Sequence, residues 1–305
     1  MAADAGEQKS EDKPLAPGLY LVATPIGNLG DITLRALDVL RRVDRIACED
    51  TRQTQKLLNH FGIRTPTESC HEHNEHERTA ALIEALQAGE RIALVTDAGM
   101  PGISDPGSVV TGAAIAAGIP VFPIPGANAA LSALVASGLP ADEFHFLGFL
   151  PEKAGARRTR IEELAAAGTQ GTLLFYEAPH RILDTVADFE AVFGPDLRIV
   201  VARELTKVHE EFLRGTVSEV RGQLAQRDRV RGEITLLVRV PAMDTARSGS
   251  AAQVERIAHR VARLQAEAAI DEKEALKRLA RELGRSKSEL YRELQRERAG
   301  ARRRT

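Results

Sequence analysis

The sequence predicts an α/β protein: two α/β domains followed by a small helical tail. In the first half of the chain, strand-like and helix-like hydrophobic runs alternate, a pattern that favours a mostly parallel sheet covered by helices. In the second half several strand-like runs follow one another closely, which favours a mixed sheet. The last fifty residues show helical patterning only.

The first domain is predicted to span residues 18–138. One helix is expected to end at Gly89, which suits a C-terminal cap, another to begin near Pro106, and a last one to follow PGANAA. The other predicted helices are TLRALDVLRR, TRQTQKLLNHF and HERTAALIEALQAG, and the predicted strands are GLYLVA, DRIACE, RIALVT and IPVFPI.

The second domain is predicted to span residues 139–241. Its helices are expected near residues 155–167 and from Pro179, since proline suits the first position of a helix. Residues 1–17 are predicted to be disordered and 242–252 to form a linker before the tail, 253–305. The predicted strands of this domain are FHFLGFL, GTLLFYE, RIVVARE, EEFLRGTV and GEITLLVRV.

Composition indicates a soluble, cytoplasmic protein. The chain has 305 residues, of which 43% are hydrophobic and 28% charged, as in ordinary globular proteins. No apolar run is long enough to span a membrane, and the polar N-terminus lacks the apolar core of a signal peptide. The two cysteines, Cys48 and Cys70, suit small buried hydrophobes in a reducing compartment.

Charge is distributed unevenly along the chain. The formal net charge of −2 divides into −8 over residues 1–250 and +6 over residues 251–305. A basic appendage on an acidic body favours contact with a polyanion.

Three Gly/Pro-rich loops follow predicted strands of the first domain: TPIGNLGD, TDAGMPGISDPG and PIPGANAA. In open α/β sheets, ligands bind at the carboxyl ends of the strands, and small residues let the main chain approach a ligand closely. None of the loops matches the dinucleotide-binding or phosphate-loop patterns. We therefore expect a ligand pocket built largely from backbone, with tight structural turns as the alternative.

The two aspartates of the middle loop are expected to differ in role. Asp105 precedes Pro106, a pair typical of a helix N-cap followed by proline at the first position. Asp97 has no such structural explanation, and an acid at a strand end can bind ribose hydroxyls or a ligand ammonium. We therefore expect Asp97 to contact the ligand.

Two further polar stretches leave alternatives open. In CEDTRQTQKLL, Asp50 and Gln53 fit a capping box, whereas Arg52 is free to bind phosphate. HEHNEHE could suggest a metal site, but no second ligand cluster accompanies it, so we expect a polar cleft rim and no metal.

Polar clusters end two predicted strands of the second domain. Tyr176, Glu177, His180 and Arg181 lie in YEAPHRI, and Arg203, Glu204 and Lys207 lie in ARELTKVHEE. Either cluster alone would suit a solvated face. Two of them beside a glycine-lined cleft favour a polar substrate.

The tail has the outline of a helix-turn-helix motif. An apolar face of Ala275, Leu276, Leu279 and Leu283 precedes Gly284, and Ser286 with Glu289 fits a capping box for a second helix. The expected role of this motif is contact with a polyanion, and packing on the body is the alternative. The basic residues on or beside the second helix are Arg285, Lys287, Arg292 and Arg296.

Many of these motifs, in this order, resemble the bacterial rRNA 2′-O-methyltransferase branch of the tetrapyrrole methylase superfamily. The resemblance runs from about residue 18 to 240. The loop TPIGN and the insertion MPGISDPG depart from the tetrapyrrole branch and follow the RNA branch. The motifs are LYLVATPIGNLGDITLRAL, EDTRQT, HNE, DAGMPGISDPG, PGANA, GFLP, YEAPHR, RELTK and GEI.

The resemblance implies S-adenosyl-L-methionine bound between two α/β domains, a homodimer, and methyl transfer to a cytidine 2′-hydroxyl in the decoding region of 16S rRNA, with the 30S subunit as the expected substrate. A small-molecule methylase and a non-enzymatic RNA-binding protein are the alternatives. The implied cofactor residues are Pro25, Asp97, Ala98, Gly99, Ile103, Ser104, Gly126, Ala127, Asn128, Ala129, Tyr176, Gly232 and Glu233.

The remaining expected site residues belong to proton transfer and RNA contact. Candidate general bases are Glu177, Asp50 and Glu204, and a mechanism without a base stays open. The expected RNA contacts are Arg52, His180, Arg181, Arg203, Lys207, Arg285 and Lys287.

Overall fold

The computed structural model describes residues 14–71, 74–240, 261, 263–265, 270–282, 290, 291 and 294. The chain forms two compact units, Met1–Ala242 and Met243–Thr305. No helix within the described ranges is long and apolar enough to cross a membrane.

The first sheet has five strands in the order β3-β2-β4-β1-β5, all paired in parallel. Apart from Arg45 and Arg91 at the first positions of β2 and β4, its central strands are apolar, because helices cover both faces of the sheet. The strands are β1 (Gly18–Val22), β2 (Arg45–Cys48), β3 (Thr67–Ser69), β4 (Arg91–Val95) and β5 (Val121–Ile124). The helices are α1 (Leu34–Arg42), α2 (Thr51–His60), α3 (Glu75–Gln87), α4 (Ser108–Ala116) and α5 (Ala129–Ser137).

The second sheet has the order β6-β7-β10-β8-β9. β6 and β7 are parallel, and the other pairs are antiparallel, which confirms the prediction of a mixed sheet. The strands are β6 (Phe144–Phe149), β7 (Gly171–Glu177), β8 (Arg198–Arg203), β9 (Glu211–Thr216) and β10 (Ile234–Val240). The helices are α6 (Ala154–Ala166), α7 (Ile182–Phe193) and α8 (Val217–Ala225).

Helix α5 follows the first sheet in sequence but packs on the second. Its buried residues Ala130, Ala133 and Leu134 share one apolar cluster with Leu174 of β7 and Leu237 of β10. The opposite face of that sheet packs on α6, α7 and α8. The second sheet is therefore covered on one side by a helix from the first half of the chain.

Three elements differ from the predictions. Strand β3 and helix α8 were not predicted: β3 has only three residues, too few to show a hydrophobic period, and α8 directly continues β9. Helix α7 begins at Ile182, after an N-cap at Arg181, rather than at Pro179.

The interpretation of Asp105 as the N-cap of α4 is wrong. The N-cap is Gly107, whose φ of 130° moves the helix start beyond Asp105. Glu75, at the first position of α3, supplies the missing acceptor: its Oε1 accepts hydrogen bonds from the backbone N–H of Gly107 at 2.8 Å and of Val109 at 3.3 Å. A buried carboxylate from another helix therefore caps α4.

Asp50 caps α2 as predicted, accepting from the Arg52 backbone N–H at 2.8 Å. The other half of the predicted capping box is absent from this described helix. The Asp50 backbone N–H donates to Asp97 Oδ1 at 3.3 Å, and Gln53 accepts from Lys56 Nζ. Asp97 thus replaces Gln53 as the reciprocal partner.

The described part of the tail has an apolar cluster of its own. Helix α9 (Glu272–Glu282) buries Ala275, Leu276 and Leu279 against Val261 and Leu290, as its apolar period predicted. The tail residues whose predictions lie outside the described ranges are Leu283, Gly284, Arg285, Ser286, Lys287, Glu289, Arg292 and Arg296.

Replacing Glu75 by Ala should lower the free energy of unfolding by about 1–3 kcal/mol, because two backbone donors of α4 lose their acceptor. Glu75→Gln, which keeps an acceptor oxygen, should cost less. Asp105→Ala should cost nothing, since its carboxylate caps no helix. Urea unfolding measures all three. Equal losses for Asp105→Ala and Glu75→Ala would contradict this assignment of the cap.

Candidate ligand-binding site

A cavity of about 370 Å³ lies where the loops after β4 and β5 face the second sheet. This volume falls in the range of sites for small molecules and cofactors. It brings together residues from both halves of the chain, as a cleft site requires. The expected cofactor residues that line it are Ala98, Gly99, Ile103, Ser104, Asn128, Ala129, Tyr176, Gly232 and Glu233.

The second sheet contributes a largely apolar wall. The rings of Phe149 and Tyr176 lie with centroids 5.7 Å apart, and burial raises the pKa of Tyr176. An aromatic pair of this kind suits the flat, apolar part of a ligand. The cavity residues that were not expected to bind the cofactor are Ile26, Met100, Asp105, Phe149, Glu177, Ala178, Pro179, Ala202, Leu205, Ile234 and Thr235.

The loop of residues 97–107, called here the β4 loop, is held by main-chain hydrogen bonds. Thr24 and Gly99 exchange backbone N–H to C=O bonds of 2.9 and 3.1 Å, and Thr24 Oγ1 donates to the Thr96 carbonyl at 3.0 Å. Gly99 has a φ of 86° and Ser104 a φ of 60°, values that are uncommon for residues with a side chain. Thr24, just after β1, therefore holds the β4 loop in one conformation.

A second cavity, of about 550 Å³, adjoins the first and shares Ile26, Ala98 and Glu233 with it. Pro25 and Asp97, expected to bind cofactor, line this second cavity rather than the first. Its walls also include Thr24, Gly27, Leu29, Gln53, Thr54, Lys56, Leu57, Thr96 and Lys207.

Two expected cofactor residues, Gly126 and Ala127, line neither cavity. At Gly126 an added Cβ would lie 2.8 Å from the Cβ of Ala23, so glycine lets the turn after β5 pack on the end of β1. Ala127 packs beside Ile26 in the apolar cluster under α5. In the protein alone, both residues shape the turn that positions Asn128.

Asp105 was missed as a site residue. Burial raises its pKa to about 6, and the nearby Glu49 and Asp97 add to the rise. No hydrogen bond to its carboxylate occurs within the described part of the chain. The pair Asp-Pro hid this role, since the same dipeptide is typical of helix starts. Burial also raises the pKa of Glu49 and of Asp97. Asp105, Glu49 and Asp97 thus form a cluster of acids beside the first cavity.

The three carboxylates proposed as bases are already engaged. Buried Glu177 accepts from the Ala178 N–H and Thr185 Oγ1, each at 2.7 Å, and from Arg181 Nε. Hydrogen bonds from Arg52 lower the pKa of Asp50 to about 2, and Lys207 lowers that of Glu204. Asp50 and Glu204 do not fit the role of proton acceptor, because neighbouring donors stabilise their charges. The Glu177 carboxylate is occupied by its three donors.

The expected RNA contacts divide into exposed and engaged side chains. Arg52 is 87% exposed although its guanidinium pairs with Asp50, and His180 is open to solvent. Arg181 is only 8% exposed and pairs with Glu177, so a direct phosphate contact does not fit its position. Arg203 donates to Glu211 and to two backbone carbonyls, and Lys207 Nζ pairs with Glu204 and Glu233 at 2.8 and 2.9 Å.

Neighbouring residues of the HEHNEHE segment have structural roles where the structure describes them. Asn74 Oδ1 accepts from the His71 backbone N–H at 2.8 Å, and Glu75 caps α4. Across the described ranges, no group of three or more His, Cys, Asp and Glu side chains could hold a metal ion.

Comparison with known proteins connects this geometry to a family. The family profile described as Tetrapyrrole (Corrin/Porphyrin) Methylases matches residues 18–221. A Ribosomal RNA small subunit methyltransferase I from Mesorhizobium japonicum is 44% identical over 289 residues, which cover 95% of this chain and 95% of that relative. One from Halalkalibacterium halodurans is 52% identical over 231 residues, 76% of this chain and 78% of the relative.

Solved structures share the fold at low sequence identity. A uroporphyrin-III-C-methyltransferase from Thermus thermophilus is 21% identical, with a TM-score of 0.51 over 73% of this chain and 94% of that one. The methyltransferase CobJ is 18% identical, with a TM-score of 0.55 over 72% of this chain and 93% of that one. The chain therefore belongs to the tetrapyrrole methylase family and, within it, to the group of Ribosomal RNA small subunit methyltransferase I proteins.

Proposed function

We propose that the protein transfers a methyl group from S-adenosyl-L-methionine to the 2′-hydroxyl of a cytidine in the decoding region of small-subunit rRNA. The observation that carries this proposal is the pair of adjoining cavities, one largely apolar and of cofactor size, the other lined by Gln53, the chain neighbour of exposed Arg52. Relatives named as small-subunit rRNA methyltransferases, one matching over 95% of this chain, support the choice of RNA over a small molecule.

The first cavity fits the proposed cofactor by its chemistry. Its walls are apolar and aromatic at Phe149 and Tyr176, as suits an adenosine group. Acids cluster beside it at Asp105, Glu49 and Asp97, as suits a cationic sulfur. When bound, S-adenosyl-L-methionine would supply a methyl group already activated by positive sulfur. The cofactor roles of Pro25 and Asp97 stay predictions, with both residues at the adjoining second cavity.

Asp105 is the residue we propose to accept the proton of the ribose hydroxyl. It lines the first cavity, and its pKa of about 6 leaves its carboxylate ionised at neutral pH. A base tuned in this way contributes roughly 10²- to 10⁴-fold. The β4 loop, fixed by Thr24 and Gly99, holds this carboxylate, and the apolar second-sheet wall excludes water. Fixed alignment adds to the rate.

A homodimer is part of the proposal. Leu131 and Val135 lie one turn apart on α5 and are both exposed, and paired exposed apolar side chains on one helix face suit a protein interface. Sedimentation equilibrium of the full chain tests this point.

The RNA contacts assigned to the tail, Arg285 and Lys287, also stay predictions.

The activity is tested by incubating the protein with labelled S-adenosyl-L-methionine and, separately, unmethylated 30S subunits, naked rRNA and a small-molecule extract. We expect label in rRNA, located by mass spectrometry on the 2′-oxygen of a cytidine. Label in small molecules alone would favour a metabolite methylase. Cofactor binding without transfer to any of the three would favour a non-enzymatic RNA-binding protein.

Asp105→Asn should remove the base. In the wild-type protein kcat/KM should rise with pH through about 6 and level off above it, because only the deprotonated carboxylate accepts a proton. The variant should lose roughly 10²-fold or more of its activity together with this rising limb. Calorimetry should show that the variant still binds S-adenosyl-L-methionine. A wild-type pH profile retained in Asp105→Asn would refute the assignment.

The Arg52→Ala variant should bind rRNA more weakly, with a slope of log affinity against log salt reduced by about one, because one phosphate contact is lost. Arg158→Ala on α6, another exposed arginine paired within its own helix, is the matched control and should keep the wild-type slope. Filter binding at several salt concentrations measures both. Unchanged rRNA affinity in Arg52→Ala would remove Arg52 from the interface.

A further inference from the structure

The loop of residues 204–210 after β8, called here the β8 loop, has a strained backbone. Glu204 has a φ of 53° and Thr206 a φ of 65°. Together with Ser104 they are the non-glycine residues with positive φ in the described part of the chain. Such conformations are unfavourable for residues with a Cβ and persist only where surrounding contacts impose them, often at functional sites.

Side chains within the β8 loop hold this conformation. Glu204 Oε1 accepts from the Glu233 backbone N–H at 3.0 Å and from Lys207 Nζ at 2.8 Å. The Thr206 backbone N–H donates to Glu210 Oε2 at 2.7 Å. The acids Glu204 and Glu210 therefore accept hydrogen bonds from the protein itself, and these bonds hold both ends of the loop.

Arg203 ties the β8 loop to the segment before β10. Its guanidinium donates to the His209 carbonyl at 3.3 Å and to the Arg231 carbonyl at 3.2 Å. Arg229 and Arg231 of that segment are exposed. Exposed positive charge thus lies beside the loop, as a phosphate backbone would require.

Val208 projects from this fixed loop with 95% of its surface exposed. Single exposed apolar residues are common on protein surfaces, but few stand on a backbone that the protein keeps strained. A β-branched side chain also has few rotamers to lose on insertion into a partner. Its neighbour Lys207 lines the second cavity and lies against Gly27 of the loop after β1, so Val208 stands beside the cleft.

We propose that Val208 is a wedge that inserts between stacked bases of rRNA and so releases the target nucleotide into the cleft. This inference rests on the proposed function. A nucleotide within a stack cannot reach a recessed cavity until it is unstacked, and proteins that unstack nucleic acids insert apolar side chains between base steps. The neighbouring arginines favour an RNA partner over an apolar face of a second copy.

The test uses the full chain with Val208→Ser, Val208→Leu and the control Ile115→Ser, which changes a 63% exposed β-branched side chain on α4. The substrate is whichever rRNA form the wild-type protein methylates. Val208→Ser should lower kcat/KM by about tenfold or more. Val208→Leu and Ile115→Ser should both keep the wild-type kcat/KM. Affinity for S-adenosyl-L-methionine should be the same in all four proteins.

A second substrate separates a wedge from a structural role. Removing the base on either side of the mapped cytidine, to leave an abasic residue, makes unstacking easier and should bring Val208→Ser close to the wild-type rate. Wild-type kcat/KM in Val208→Ser, or a defect that neither abasic substrate relieves, would overturn the wedge. A shift of Val208→Ser to a smaller assembly in sedimentation would also overturn it and make Val208 a contact between copies. Failure of the wild-type protein to methylate any rRNA would instead overturn the proposed function.

Discussion

The site depends on the pair of main-chain hydrogen bonds between Thr24 and Gly99. They join the loops that leave β1 and β4, two neighbouring strands of a parallel sheet. Because the bonds use backbone atoms, the β4 loop can be built from small residues and still keep one conformation. Asp105 then faces the first cavity from a fixed loop, and the second sheet closes the opposite side with largely apolar side chains.

The second sheet secures its own loops in another way. Glu177, Arg181 and Thr185 form a buried polar cluster at the junction of β7 and α7, and Arg203 joins two loops at the ends of β8 and β10. Charged groups that the sequence suggests as catalytic or RNA-binding are already hydrogen-bonded within these networks. Removal of one partner would leave a buried charge unpaired, which is strongly unfavourable.

The sequence was sufficient to predict the described strands other than β3, because strands such as β4 and β10 are mostly apolar, whereas the three residues of β3 are too few to show a period. It also predicted the first-domain side of the first cavity, since Gly/Pro-rich loops after parallel strands mark ligand sites. It was not sufficient for Asp105 and Glu177: Asp105 caps no helix and lines the first cavity, and Glu177 is held in a buried hydrogen-bond network. Local sequence suggested a cap for one and a base for the other, whereas partners distant in sequence decide both: Glu75 caps α4, and Thr185 and Arg181 engage Glu177.

Helix α5 has a consequence for how the protein can be divided. Its apolar face belongs to the second sheet, although its residues continue the first half of the chain. A fragment ending after Ser137 would carry an uncovered apolar helix, and a fragment beginning at Phe144 would lack the cover for Leu174 and Leu237. In chimaeras with other family members, the crossover therefore belongs between β5 and α5, so that the helix travels with the sheet on which it packs.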